Sequence, residues 1–492
     1  MSRIARASLI MAVFFGLDKI LGLLRAVLFN RIFSPADRDV FFVSNNIPDL
    51  LSALISGGAL GIALIPVLTE HLQLKGRSDA WHLFSQIINL AFIVTAAIAL
   101  GIILLADPLM QRVIAPGFND PVKWALASKL MRLDLLAILI FSISGLVMAG
   151  LQANQHFLFP AMAPALYNSG QIFGILFLAP RFGIYGLAYG VIIGALLHLG
   201  IQIPGLIIYK FHWSPGIDLH NSGVQQVLRL MGPRFLNILC LQSYFLVRDR
   251  YASFFQEGAI SAVNNGWFIQ QVPETLIGTA IAIALLPSLA EFLTNQEYEK
   301  FQETVNRALR VMLAYTLPIA AIIVVAIRPI VQIVFGFAPA ETEMTVWCTR
   351  AFLLGLTGHT WLEVGVRSFY ARQDAWTPLK AAFLQALTFI VIGWAFSRLL
   401  GPAGIALADS VTFTSQALLL LFLLNRQFPQ ILQIRNTFMR TLAACAVGGL
   451  LTLFLLAWLP LPVPIKTLVA LAFGGMAVVP WIWPEVRSII KL

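Results

Sequence analysis

An all-α polytopic membrane protein of about fourteen transmembrane helices, arranged as two parallel six-helix repeats plus two C-terminal helices, is the fold class this sequence predicts. The first observation is composition. Of 492 residues, 59% are apolar and 11% are charged, with a mean hydropathy of +0.83. Soluble domains have about 25% charged residues, so this chain cannot cover a water-facing surface. The second observation is that apolar runs of about 20 residues, long enough to cross a bilayer, recur from end to end without polar linkers. The third is an internal repeat. Cys240, Cys348 and Cys445 are odd in number and set in apolar runs, which excludes a disulfide scaffold. The net charge of +10 is scattered rather than clustered on one soluble face, which argues against nucleic acid as a partner.

Along the chain the spans fall at roughly 8–32, 40–70, 84–106, 128–152, 158–179, 183–209 and 227–254. They continue at roughly 259–293, 306–337, 345–371, 377–398, 403–425, 437–459 and 464–484. Arg3 and Arg6 before the first run resemble a signal peptide. Asp18, Lys19 and Arg25 interrupt that run and no small-residue cleavage site follows, so it reads as a retained helix. An even count puts both termini on one side. Arg3, Arg6, Lys75, Arg77, Lys210, Arg307, Arg310, Arg372, Arg426, Arg435 and Lys491 make that side cytoplasmic by the positive-inside rule. The opposite side has Arg31, Arg38, Arg112, Lys123 and Arg181.

Asn45-Asn46-Ile47-Pro48-Asp49 returns as Gln270-Gln271-Val272-Pro273-Glu274, 225 positions later, and Ile65-Pro66 to Glu70 returns as Leu286-Pro287 to Glu291, 221 positions later. The difference of four residues is about one helical turn, so the second copy loses a turn without rotating its faces. A second block agrees at a spacing of 218: Ala153, Gln155, Pro160, Gly183 and Gly186 return as Ala371, Gln373, Pro378, Gly401 and Gly404. Six crossings per copy give parallel repeats, a two-lobed transporter plan with the substrate path between lobes. The expected division is residues 1–215 and 216–430 as lobes, with 431–492 as two helices outside the repeat.

Charges at membrane depth face a cavity or a partner. Asp18, Gly22 and Arg25 share one helix face, as do Asn45, Asp49, Ser52 and Ser56, with Asp39 at the head of that helix. The second lobe offers Arg248-Asp249-Arg250, then Asn264, Gln271, Glu274 and Thr275. These residues predict a wet, cationic cavity, because Arg clamps phosphate oxygens in a planar fork and Lys binds them as a point charge. The competing reading pairs Asp18 with Lys19 and Arg248 with Asp249 as neutral couples. Pro48, Pro66, Pro273 and Pro287 break matched helices and are gating candidates. His198 and His359 read as packing residues, and His71, His82, His156, His212 and His220 lie in or near loops without metal-ligand spacing. Asp249, Asp409 and Thr412 are weak cation candidates. There is no P-loop, Cys-x-x-Cys, His-Glu-x-x-His or nucleophile elbow, so an enzyme is not expected and uphill transport would draw on an ion gradient or the membrane potential.

Several stretches carry a family resemblance. They are Leu21-Gly22-Leu23-Leu24-Arg25, Asp39-Val40-Phe41-Phe42-Val43, Ala115-Pro116-Gly117-Phe118, Pro160-Ala161-Met162-Ala163-Pro164, Leu286-Pro287-Ser288-Leu289 and Phe369-Tyr370-Ala371-Arg372-Gln373-Asp374. With these the chain resembles, over nearly its whole length, the MurJ (MviN) lipid II flippases of the multidrug/oligosaccharidyl-lipid/polysaccharide exporter superfamily. The resemblance implies fourteen helices, with the last two forming a lipid-tail groove. It implies a bacterial inner-membrane location and a role in peptidoglycan and cell-shape biogenesis. The implied cargo is undecaprenyl-pyrophosphate-linked precursor, with Na+ or H+ as coupling cation. Membrane lipids and cell-wall polymerases are further expected partners, for a monomeric carrier.

By that resemblance Lys19 and Arg25 contact pyrophosphate and Asp39 latches the outer gate. Asn45, Asn46, Asp49, Ser52, Gln271 and Glu274 contact sugar or bend, with Arg248 or Arg250 as added cations. The chain departs from the family pattern at Ser52, where an Arg is typical, at Gly57, where an acid is usual, and at Phe268, where an Arg is usual. Span 11 also lacks the family's cation-site acid. Other readings are a different polyprenyl-linked glycan or amphiphile as cargo, a non-transporting scaffold for wall synthesis and, most remotely, a glycosyltransferase.

Overall fold

The computed structural model describes residues 3–55 and 59–489. Ser56, Gly57 and Lys491 lie outside the described residues, and so do the side chains of Arg3 and Arg6. Every regular element among the described residues is helical, and two compact units divide the chain at Met1–Phe254 and Phe255–Leu492.

The first unit contains α1 (Arg3–Ile32), α2 (Pro35–Ile55), α3 (Ala59–Leu74), α4 (Arg77–Leu104) and the short α5 (Ala106–Leu109). It continues through α6 (Pro121–Ala153), α7 (Leu158–Phe173), α8 (Ala179–Phe182), α9 (Ile184–Gly200), α10 (Ile203–Ile208) and α11 (Ser222–Ala252). Leu64 and Leu68 of α3, Phe84 and Ile87 of α4, Leu146 of α6 and Val227 of α11 form its buried core. The second unit contains α12 (Ala259–Pro273), α13 (Ala280–Thr294), α14 (Tyr298–Phe335), α15 (Pro339–Leu354) and α16 (Leu356–Ala371). It ends with α17 (Trp376–Leu400), α18 (Pro402–Gln427), α19 (Arg435–Trp458) and α20 (Val463–Ile489). Its core joins Leu285 and Leu289 of α13 to Phe301 and Leu309 of α14, Trp361 of α16 and Leu420 of α18.

Among the described residues, eleven helical stretches are long and apolar enough to cross a membrane, or twelve with the bent α11 counted. The α15–α16 pair, broken into two sixteen-residue helices, and α1 fall outside that set, so the count of fourteen is not confirmed. The unit boundary also lies later than residue 215. α11 packs on α2 and α3, and its C-terminal end is tied to the α5–α6 connection. There Gly117 N–H donates to Ser253 Oγ at 3.1 Å, and a Cβ on Gly117 would sit 2.5 Å from the Ser253 backbone. The Ala115-Pro116-Gly117-Phe118 motif is thus a docking turn for α11. Helices α19 and α20 pack on each other and on α14.

Helical geometry reproduces the repeat independently of residue identity. The start of α2 and the end of α3, Pro35 and Leu74, recur as the start of α12 and the end of α13, Ala259 and Thr294, at spacings of 224 and 220, the same four-residue difference that the sequence blocks show. Pro48 and Pro273 are both buried, whereas Pro66 and Pro287 are both exposed. Pro273 is followed by a π-helical segment, Glu274–Thr279, the expected response when proline removes a backbone donor. Gln155 and Gln373, 218 positions apart, take φ of +59° and +61°, an uncommon left-handed conformation for a residue with a Cβ. Asp374 then caps α17, accepting from the backbone N–H groups of Trp376 and Thr377 at 3.1 and 3.0 Å. Partial burial pushes its pKa up, but these bonds and the one from the Thr377 hydroxyl outweigh it and hold the carboxyl below its ordinary range.

Gly183 and Gly401 turn the chain with φ of +57° and +63°. Three residues on, a Cβ on Gly186 would meet Ala179 N at 2.3 Å, and one on Gly404 would meet Phe396 O at 2.0 Å. Such backbone approach is how helices pack where lipid supplies no hydrophobic drive. Gly186→Val and Gly404→Val are each expected to lose about 1–3 kcal/mol by overpacking. Gly101→Ala on α4, with nothing within 4 Å of its Cβ, is the neutral control. Thermal denaturation in detergent checks all three.

Candidate functional site

In the first unit, α1 presents its Asp18–Gly22–Arg25 face to α7. Asn168 Nδ2 donates to Asp18 Oδ1 at 2.8 Å, and Arg25 Nη1 donates to Gln171 Oε1 at 3.0 Å. A Cβ on Gly22 would lie 3.8 Å from the same Asn168 amide. The close approach expected at Gly22 is therefore made by α7, and Asp18 is engaged by an amide rather than by Lys19. Lys19 is exposed. Arg25 is half-buried and fixed through one nitrogen, which leaves the rest of its five-donor fork for a ligand.

Beside it, α2 contributes Asn45, Pro48, Asp49 and Ser52 to a cavity of about 190 Å³. Asp134 of α6, Tyr167 of α7 and His198 of α9 complete its polar lining. Asn45 Nδ2 donates to Phe41 O at 2.9 Å, and Asn46 Nδ2 is buried without a partner. Asp49 is exposed, and its charge interacts with those of Arg25 and Asp134. His198 contacts the Ser144 hydroxyl and the Gln202 amide, so it is a satisfied packing residue. Asp39 is buried in the first turns of α2.

The basic cluster at the end of α11 does not open onto this cavity. Arg248 and Asp249 are each 2% exposed, with Arg248 Nε donating to Asp249 Oδ1 at 3.3 Å and its guanidinium lying 4.8 Å from the Phe245 ring centroid. The two side chains form a buried ion pair. Arg250 Nη1 donates to the Arg112 and Val113 carbonyls at 2.7 and 2.6 Å, closing a helix end.

In the second unit Gln271 is exposed and Glu274 is half-buried, accepting from the Thr279 and Thr275 hydroxyls at 3.2 and 3.4 Å. Gln270 is buried with neither amide atom bonded. Glu274 also feels the charge of Glu363, which pairs with Arg367. His359 Nε2 lies 3.0 Å from Asp409 Oδ2, stacked on Phe413, and Thr412 Oγ1 donates to Asp409 O at 3.2 Å. Asp409 and Asp249 thus hold a histidine and an arginine respectively. No group of three or more His, Cys, Asp or Glu residues among the described residues is placed to hold a metal ion. A separate cavity of about 700 Å³ in this unit has Met344, Trp347, Leu354, Leu400 and Leu407 along its wall.

Sequence reading missed Asp134, Tyr167, Asn168, Gln171, Glu363 and Arg367. A single acid inside an apolar span, as in Leu133-Asp134-Leu135, was the available signal. The amides gave none until α7 was placed against α1.

The model of the family described as lipid II flippase MurJ matches residues 30–471. A probable lipid II flippase MurJ of Buchnera aphidicola is 28% identical over 418 residues, 82% of this chain and 80% of its own length. The lipid II flippase MurJ of Burkholderia cenocepacia is 27% identical over 432 residues, 86% and 84% respectively. Among solved structures, lipid II flippase MurJ in an inward closed conformation aligns over 98% of this chain and all of its own, at a TM-score of 0.83 and 23% identity. An inward-facing multidrug-resistance transporter of the MATE family aligns over 84% of this chain and 95% of its own, at 0.72 and 14%. These likenesses show the fold, and the family match spans most of the length, Arg38, Asp49 and Asp134 included. By that match the chain belongs to the lipid II flippase MurJ family, whose members are transporters rather than enzymes.

Proposed function

We propose that this protein translocates lipid II, the undecaprenyl-pyrophosphate-linked peptidoglycan precursor, from the inner to the outer leaflet of a bacterial inner membrane by alternating access. The family match supports the cargo. The observation that carries the chemistry is Arg25, held on α7 by one hydrogen bond with its remaining donors free to fork onto phosphate oxygens. Lys19, exposed on the same helix, adds a second positive charge for the headgroup. Outward movement of two negative charges across about 100 mV, inside negative, releases roughly 4–5 kcal/mol, enough to drive the loaded step. Cation entry resets the empty carrier. Both termini lie in the cytoplasm, the carrier acts as a monomer, and membrane lipids and wall polymerases are its neighbours.

A second reading, transport of a different polyprenyl-linked glycan, draws support from Ser52 and Asp134, which make the cavity less cationic than a pyrophosphate site calls for. Expression in a host whose own lipid II flippase is depleted separates the two. Externally exposed lipid II is expected to return. A well-inserted protein that restores none, while lipid-linked glycans of another class compete for binding, would favour the second cargo.

A further inference from the structure

The cavity of the first unit holds an acid that the flippase reading does not use. Asp134 is 1% exposed, lines the cavity, and neither carboxylate oxygen accepts a hydrogen bond. The nearby Ser44 hydroxyl donates instead to Phe41 O at 2.8 Å. Asp134 has no ion-pair partner among the described residues. A carboxylate taken out of water without a donor or a cation is not stable as an anion, so a positive charge must come to it.

Asp49 stands across the same cavity, on α2, which packs against α6. It is exposed where Asp134 is not, which gives the pair an accessible member and a buried one. The charged and titratable groups facing the pair come from every neighbouring helix. Arg25 of α1 acts on Asp49 but is tethered to Gln171. Asp249 of α11 adds negative potential at Asp49, although it is held with Arg248. Tyr167 of α7 and His198 of α9 line the wall, His198 being occupied by Ser144 and Gln202. Neutral oxygens are at hand in Asn45, whose amide nitrogen is already committed to Phe41 O, and in Ser52 and Tyr167. Oxygen donors around two carboxylates suit a hard monovalent cation or a proton.

We propose that Asp134 and Asp49 form a cation-uptake site within the N-terminal unit, taking up one proton or one sodium-sized ion per transport cycle. Neutralising Asp49 removes the counter-charge from Arg25 and strengthens its hold on an anionic headgroup. By linkage, headgroup binding strengthens cation uptake to the same degree. This coupling rests on the flippase reading, whereas the site itself does not.

The test therefore omits lipid II. Full-length protein in detergent is assayed for binding of radioactive sodium at neutral and acidic pH, and for a protonated-carboxyl band by difference infrared spectroscopy. Wild type is expected to bind sodium in competition with protons, or to show the carboxyl band without binding sodium, which tells the two occupants apart. Asp134→Asn, close to isosteric, is expected to weaken sodium binding about tenfold or more, or to remove the band. Asp49→Asn serves as the second variant should Asp134→Asn fail to give a monodisperse protein. Unchanged sodium binding together with an unchanged carboxyl band in the folded variants overturns the proposal. Flipping that persists while the site is lost removes the coupling and leaves the flippase reading intact.

Discussion

Asp249→Ala is expected to destabilise the protein by about 3–5 kcal/mol, the cost of removing one member of a buried ion pair. Arg248 and Asp249 are adjacent in sequence and almost fully enclosed near the end of α11. Water cannot reach the guanidinium to replace a lost carboxylate. Alanine at 249 therefore removes a buried counter-charge from a guanidinium that also lies against the Phe245 ring. The expected readout is a large fall in the detergent melting temperature. Adding Arg248→Met in the Asp249→Ala background removes the buried cation and is expected to recover part of the loss. A site role for Arg248 predicts the reverse order, with Arg248→Met harming transport and Asp249→Ala leaving the fold intact. The burial of both residues, each 2% exposed, favours the structural order.

The contrast between these residues and Arg25 shows how far a sequence carries the argument. The repeat was legible down to geometry, because proline, glycine and left-handed glutamine positions are dictated by the backbone itself. Pro48 and Pro273, Gly186 and Gly404, and Gln155 and Gln373 all recur as paired structural facts. Polar side chains were less legible. Span periodicity gives the face a residue occupies, but not what stands opposite it. Asp18 and Arg25 shared a face as read, yet the partners are Asn168 and Gln171, nearly 150 residues away. Arg248-Asp249-Arg250 looked like a cationic cluster because spacing cannot distinguish an arginine that closes a helix end from one that faces a ligand. Asp409 reads as open to a cation from the sequence, whereas His359 stands beside it in the fold. The boundary of the compact units differs from the repeat boundary for a related reason. A six-span repeat suggests a cut before α11, whereas the Gly117–Ser253 contact and the Arg250 bonds hold that helix to the first unit.

Arg25→Ala is expected to lower lipid II exposure at the outer face by about tenfold or more, while Arg25→Lys retains a measurable fraction. The physical basis is the fork. One guanidinium nitrogen is spent on Gln171, which holds the planar group in place, and the other N–H donors can meet two phosphate oxygens at once. Hydrogen bonds involving a charged group contribute about 1.5–3 kcal/mol each, so loss of the fork alone reaches that magnitude. Lysine restores the charge without the second bond, and the distance between the two variants measures how much of the effect is geometry. Ser52 of α2 carries no charge, so the headgroup contact rests on Arg25 and Lys19 of α1. The substitution is therefore expected to cost more in this chain than in one with further arginines around the pyrophosphate. Gln171→Leu supplies the complementary arm. It keeps the charge but removes the tether, so it is expected to weaken headgroup binding less than Arg25→Ala does. Exposure of lipid II unchanged by Arg25→Ala in a well-inserted protein would assign Arg25 to the α1–α7 contact alone and return the headgroup contact to Lys19.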